Sequence, residues 1–409
     1  MDLNDSPDQA DYRAKVRAWF DEHEGEAPKL RGPDAIRDED EANRAWRSWQ
    51  RTLAEGGFVG VTWPTEYGGQ ALGPLHQVIL NQEIGRAGVP GILDTIGVGM
   101  LGPTIIAHGS DEQKERYLAP MLHADEVWCQ LFSEPAAGSD LAGIQSRAVQ
   151  QDDGGWVLKG QKVWTTNAHI ASFGLLLART DADVPKHKGL TMFIVPMDGE
   201  GVTVRPLRQI TGDPEFNEVF FDDVRLDPGS EVGPIDGGWG VALTTLMFER
   251  LTIGTGSDQF GYSGSRFAEA IAGDETASAD PEVRRRFGEL ATELLALKFT
   301  GFRQLTAIQR GGMPGPEGAL GKVTMVSAAT EAGDLIADVV GPDALEDGSD
   351  TARLISFLPG LKSAGGTEEI LRNTVGERVL GLPPEPRLDK GVPFSELRAK
   401  EREAAGALR

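Results

Sequence analysis

The sequence predicts an α+β multidomain protein: an N-terminal helical domain over 1–125, a middle antiparallel β-barrel domain over 126–235 and a C-terminal helical bundle over 236–409. Three observations predict it. Apolar residues recur at helical spacing through the first domain. Short Val-, Ile-, Leu-, Phe- and Thr-rich runs alternate with Gly, Asp and Pro clusters from 126 to 232, at a turn spacing of roughly 8–15 residues. Helical periodicity then returns after Gly237-Gly238.

Taken in order, Tyr12, Val16, Trp19 and Phe20 mark a first helix, and Ala45, Trp49, Leu53 and Ala54 a second. Pro64 and Gly68-Gly69 interrupt FVGVTWPTEYGG (58–69) as a loop between helices would. Helical stretches follow near 74–86 and 90–108. In GSDEQKERYLAPML, Ser110 stands as N-cap and Gln113 at the capping-box position. The β region contains GWVLKGQKVWT, FGLLLARTD, LTMFIVPMD, GVTVRPL and NEVFFDDVRL. Beyond it, helices are expected near 239–272, 282–310, 317–340, 350–358 and 367–378, separated by GDETASADP, GGMPGP and GPDALEDGSD.

Composition narrows the function classes. The 409 residues can bury a large core, and 63 acidic against 40 basic residues give a net charge of −23. Nucleic acid and anionic membranes need clustered positive charge and are excluded as main partners. Cys129 is the only cysteine, and the six histidines form no i,i+4 pair, so neither a disulfide nor a metal site is expected. The polar N-terminus and the lack of a long apolar run point to a cytoplasmic protein.

The richest segment is QLFSEPAAGSD (130–140), followed by KVWTTN (162–167). Small hydroxyl residues and glycine let backbone N–H groups approach anionic oxygens, while Trp164 offers a flat apolar face. Together they suit a planar, phosphate-bearing heterocycle such as a flavin. A plain hairpin with a buried tryptophan and a turn serine reads equally well from either segment alone. Glu249 shares a helical stripe with Ala242, Leu246 and Ile253; a carboxylate there is costly unless paired or used as a general base. GGTEEILRN (365–373) opens a helix whose first N–H groups and Thr367 could hold an anion or amide, or form an ordinary cap that Glu368 and Glu369 compensate. Arg179 suits a buried ion pair, and Lys186, His187 and Lys188 form a small basic patch, either a phosphate contact or a solvated loop.

These pieces, with GVTWPTEYGG, FFDDVRL and GGTEEILRNTVGERVLGLP, resemble the acyl-CoA dehydrogenase family over essentially the whole chain. The resemblance implies a C-terminal four-helix bundle, FAD as cofactor and tetramers built as dimers of dimers. It places Gln130, Leu131, Phe132, Ser133, Gly138, Ser139, Trp164, Thr165, Thr166, Thr367 and Glu369 at the flavin, with Ser133 toward the pyrimidine side, Ser139 near the pyrophosphate, Trp164 on the ring and Thr166 at its N5 edge. Ser139, Met247, Arg250 and Gly366 would contact the acyl-CoA. The implied reaction is α,β-desaturation, in which a carboxylate removes the pro-R α-proton and the β-hydrogen leaves as hydride to flavin N5. An electron-transfer flavoprotein would reoxidise the flavin.

Two departures follow. Many members carry the base in Y-E-G-T, where this chain has Ala364-Gly365-Gly366-Thr367. Gly365 cannot take a proton, and other branches place the base where this chain has Glu249. The family's R-x-x-F-G and Q-x-x-G-G segments, which help hold a neighbour's FAD, are replaced by GSRFAEAIAGDETASADP and DVVGPDALEDG. A non-catalytic or half-site subunit of a heteromeric dehydrogenase is therefore the alternative, and an acyl-CoA or nitroalkane oxidase a third.

Overall fold

A computed structural model of the chain describes residues 5–30, 34–255, 275–309, 315–346, 349–387 and 389–407. Besides a five-residue helix at Glu275–Ala279, the described α-helices are α1 (Pro7–His23), α2 (Glu39–Glu55), α3 (Pro74–Ala87), α4 (Gly102–His108), α5 (Asp111–Leu122), α6 (Gly238–Thr255), α7 (Pro281–Gln309), α8 (Ala319–Val340), α9 (Asp350–Phe357), α10 (Glu368–Arg378) and α11 (Phe394–Ala407). The strands are β1 (Trp128–Leu131), β2 (Arg147–Gln150), β3 (Trp156–Thr166), β4 (Phe173–Arg179), β5 (Leu190–Pro196), β6 (Val202–Leu207), β7 (Phe216–Leu226) and β8 (Glu231–Val232). The chain divides into two compact units: Met1–Ile92, Ile210–Gly212 and Arg250–Pro384 form one, and Leu93–Gln209, Asp213–Glu249 and Glu385–Arg409 the other.

The first unit is helical. Tyr12, Val16 and Phe20 bury one face of α1, which packs on α3, and Trp49 and Leu53 do the same for α2. The α1–α3 contact carries a charged network. Glu83 on α3 is only 2% exposed and meets Arg13, Arg17 and Arg86 at 3.2, 2.9 and 2.6 Å. Burial alone would raise its pKa, but hydrogen bonds from Arg17, Arg86 and Arg13 outweigh that and hold it at about 2. In the C-terminal helices, α8 packs against α7 and α10 over a core of Leu290, Met325, Val326, Ala329, Leu358 and Leu361. The helix expected over 239–272 is described only to Thr255, and its remainder lies outside the described residues.

The second unit is built on one eight-stranded sheet, in the order β6-β7-β3-β2-β4-β5-β8 with β1 paired to β4. Most neighbours are antiparallel, as the turn spacing predicts. Two pairings differ: β1 and β2 both run parallel to β4. A parallel neighbour needs a long crossover, and the loop after β1 together with β2 and β3 supplies it. Inward residues including Leu131, Trp156, Leu158, Leu176, Phe193, Val195, Val219 and Phe221 fill the core. Before the sheet, α5 starts at the Ser110–Gln113 capping box that the sequence shows, with both reciprocal hydrogen bonds made. Just upstream, Gly97–Leu101 adopt a π-helical turn, with the buried Asp94 carboxylate accepting from Gly97 N at 2.9 Å and Trp128 N at 3.2 Å. Residues 385–409, expected with the C-terminal bundle, fall in this unit.

Candidate functional site

β3 is where the candidate site takes shape. Alternation turns its even positions inward, as with Trp156 and Leu158, and Lys162 follows them into the interior with no exposed surface. Its ammonium donates to the Phe132 carbonyl at 3.0 Å and to Glu134 Oε1 at 2.8 Å. The Glu134 carboxylate also accepts from the backbone N–H of Gln145 at 2.6 Å and Ser146 at 2.9 Å. Burial pushes Glu134 upward, yet Lys162 and these donors hold it below the usual carboxylate range; burial pulls Lys162 below its ordinary value. The backbone N–H of Val163 donates to the Ser133 carbonyl at 2.9 Å. The two segments that the sequence singles out, 130–139 and 162–166, are thereby stitched side by side.

Trp164 breaks the alternation. A register shift between Lys162 and Thr165 marks a bulge, Trp164 takes φ +59°, and its indole is 60% exposed. A bulky residue in left-handed backbone costs on the order of 1–3 kcal/mol and is maintained only where surrounding structure imposes it. Here the bulge turns out of the core a ring that an uninterrupted strand would bury. The edge-to-face contact with Phe216, centroids 6.0 Å apart, leaves the indole largely accessible. This exposed aromatic face on a rigid strand fits a planar apolar ring such as isoalloxazine, so the residues present suit the flavin that the resemblance implies.

The other expected flavin contacts divide. Gln130, Ser133 and Thr166 are half-buried, and Gly138 and Ser139 are exposed. Leu131 and Phe132 are buried, with Leu131 in the sheet core, which leaves their main chain as what they can offer. Thr165 is likewise buried, its carbonyl taken by Asn217 Nδ2 at 2.9 Å and its hydroxyl without a partner among the described residues. Thr367 and Glu369 belong to the first unit. There the Thr367 hydroxyl caps α10 by accepting from Ile370 N at 3.3 Å, and Glu368 pairs with Arg372. Gly365 and Gly366 enter that helix at φ +66° and +90°, a backbone that disfavours any side chain. The Gly366 carbonyl accepts from Lys322 Nζ at 2.6 Å.

Glu249 lies on α6, whose Ala242 is fully buried, while Leu246, Met247 and Glu249 are half-buried. The side chains of Arg250 and Ile253 lie outside the described residues. Two contacts fix α6 to α4: Thr245 Oγ1 lies 3.0 Å from Thr104 Oγ1, and Thr244 Oγ1 lies 2.8 Å from His108 Nε2.

The remaining sequence candidates have structural work instead. Arg179 is buried but makes no ion pair among the described residues; it donates to the carbonyls of Ala142 at 2.6 Å, Ile144 at 3.3 Å and Lys186 at 3.2 Å. Burial draws its pKa down to about 10. Lys186 is held by Asp140 at 2.8 Å and Asp389 at 2.6 Å, so this lysine of the basic patch already has its anionic partners. Sequence reasoning passed over Lys162 and Glu134, although the inward period of β3 carries the signal for Lys162. No described helix is long and apolar enough to cross a membrane.

Comparison with known proteins agrees with this architecture. The N-terminal, middle and C-terminal domain models of acyl-CoA dehydrogenases match residues 6–125, 129–224 and 236–380. The chain is 38% identical to the acyl-CoA dehydrogenase IpdE1 of Mycobacterium tuberculosis, across 93% of this chain and 99% of that protein. Among solved structures it is similar to the Tcur3481-Tcur3483 steroid ACAD, with TM-score 0.80 and 27% identity over 94% of this chain and 100% of that one. It is also similar to the ChsE4-ChsE5 complex from Mycobacterium tuberculosis, with TM-score 0.79 and 27% identity over the same shares. With all three domain models matched in order, and a strand that presents an aromatic face suited to a flavin, the chain belongs to the acyl-CoA dehydrogenase family, FAD-dependent oxidoreductases acting on acyl-CoA thioesters.

Proposed function

We propose that this chain desaturates a bulky, polycyclic acyl-CoA thioester between its α and β carbons, with Glu249 as the base. Two observations made separately in the two units carry the base assignment: Glu249 is half-buried on a pinned helix, and position 365, the alternative for the base, is a glycine in left-handed backbone. The Glu249 carboxylate takes the α-proton, and the electrons of that C–H bond form the new double bond as the β-hydrogen departs. FAD, when bound, supplies the hydride acceptor. Trp164 and Thr166 would hold the ring, Ser133 its pyrimidine side, and Ser139 the pyrophosphate end. The family resemblance adds Thr367 and Glu369 as FAD contacts and Met247, Arg250 and Gly366 as acyl-CoA contacts. Similarity to a steroid dehydrogenase supports the polycyclic acyl class.

A second reading, a half-site subunit of a heteromeric enzyme, is favoured by the replaced R-x-x-F-G and Q-x-x-G-G segments and by similarity to a two-protein complex. An electron-transfer flavoprotein is the proposed acceptor in either case.

One experiment tests these readings. Purified protein should be yellow and bleach anaerobically with steroid-type acyl-CoA more readily than with straight-chain thioesters. Glu249→Gln should keep its flavin but slow bleaching by at least about 10²-fold. Full bleaching by that variant sinks the base assignment. Colourless protein that gains flavin only with a second subunit favours the half-site reading, and oxygen consumption without an acceptor favours an oxidase.

A further inference from the structure

The matched C-terminal domain model ends at Leu380, yet residues 385–407 return to the β unit and bind it specifically. Phe394 N donates to the Val184 carbonyl at 3.0 Å and Ser395 N to the Ala182 carbonyl at 2.8 Å, beside a bridge between Pro393 and Pro185. The loop they grip is tightly closed at its neck, where a Cβ on Gly189 would lie 1.8 Å from the Asp181 carbonyl oxygen.

Three further contacts reach the segment that follows Ser139. Asp389 shares Lys186 with Asp140. The buried Phe394 ring lies 3.7 Å beneath the Arg179 guanidinium, which itself holds the Ala142 and Ile144 carbonyls. Arg398 Nη2 donates to Gln145 Oε1 at 2.9 Å. On its other side the same segment is tied to Glu134 through Gln145 N and Ser146 N. The exposed Gly138-Ser139 turn thus sits on a loop that is anchored from within the sheet at one side and by the chain's C-terminal segment at the other.

We propose that residues 385–407 are a strap that positions the Ser139–Gln145 rim for the pyrophosphate end of FAD, with Phe394 and Arg398 as positioning residues. The proposal rests on the reading of Ser139 as a pyrophosphate contact. Its physical basis is preorganisation: a rim held in place before binding spares the cofactor the cost of ordering it. Neither residue needs to touch the ligand.

The test uses full-length protein with Phe394→Ala, Arg398→Ala and the conservative Arg398→Lys. Amide hydrogen exchange over 136–146 is measured without flavin, and FAD affinity by titration of the apoprotein. Exchange should quicken in both alanine variants, and FAD should bind roughly tenfold more weakly to Phe394→Ala, a difference of about 1.4 kcal/mol. Arg398→Ala should show a smaller loss that Arg398→Lys restores, with an unchanged apoprotein melting point. The absorption bands of bound flavin should stay in place, since the ring end at Trp164 is untouched. Unaltered FAD affinity despite faster exchange overturns the proposal, as does unaltered exchange. An affinity loss matched by an equal loss of apoprotein stability in both variants overturns it too. Wild-type protein that takes up no flavin defeats the underlying reading, and the proposal falls with it.

Discussion

Replacing Lys162 by methionine should expose how the two segments of the proposed flavin face, 130–139 and 162–166, are joined. The substitution keeps an unbranched chain one atom shorter but removes the cation from a position with no exposed surface. Glu134, itself only 7% exposed, would keep two backbone donors, Gln145 N and Ser146 N, and lose its counter-charge. Stranding one member of a buried pair costs about 3–5 kcal/mol. The Phe132 carbonyl would also lose its donor, adding about 1 kcal/mol. Because the carboxylate is what the single substitution strands, Glu134→Gln combined with Lys162→Met should recover about 1 kcal/mol or more, the gain being reduced because the amide NH2 then faces one of the two backbone N–H donors. Hydrogen exchange of the β1 and β3 amides reports this locally, because opening there separates the two strands that the pair holds. Equal destabilisation by the single and double variants would refute the reasoning, as would a single-variant loss below about 1 kcal/mol.

Two further outcomes are expected. Trp164→Gly should leave apoprotein stability within about 1 kcal/mol of wild type, since relief of left-handed strain offsets glycine's backbone entropy. The same variant should bind FAD far more weakly, and an apoprotein strongly destabilised by it would show that the indole serves packing instead. Glu83→Gln should lower the unfolding midpoint at neutral pH, by about 2–3 kcal/mol because its arginine partners are partly exposed. Glu83 has a folded-state pKa of about 2, below its unfolded value, so its stabilisation is full above about pH 4.5 and fades as pH falls toward 2. The gap between wild type and variant, followed by acid titration of the unfolding midpoint, should close over that window, and a pH-independent gap would contradict the ion network.

Much of the architecture was legible in the chain. Helical spacing at Tyr12, Val16 and Phe20 gave a buried helix face, and Ser110 with Gln113 gave a capping box, because such patterns are local consequences of a 3.6-residue period and unpaired N–H groups. Parallel pairing of β1 and β2 with β4 was not legible, because strand direction depends on where a distant strand returns. The pairing of Lys186 in the basic triplet was not legible for the same reason: the carboxylate of Asp389 that meets it lies far along the chain.

The order of helical and β domains, the strongly acidic balance, the family, and the residue types that a flavin and an acyl thioester require could all be read from the chain. Each depends on composition, local period or motif spacing. Which of those residues face outward was set by long-range packing. A one-position bulge turned Trp164 out of the core and kept Thr165 in it, which alternation along β3 could not foretell. Tertiary contacts likewise set Lys162 against Glu134 and brought residues 385–407 onto the loop after Ser139. The physical reason is that a charge buried in one segment is stable only with a partner from another, and sequence spacing carries no record of that pairing.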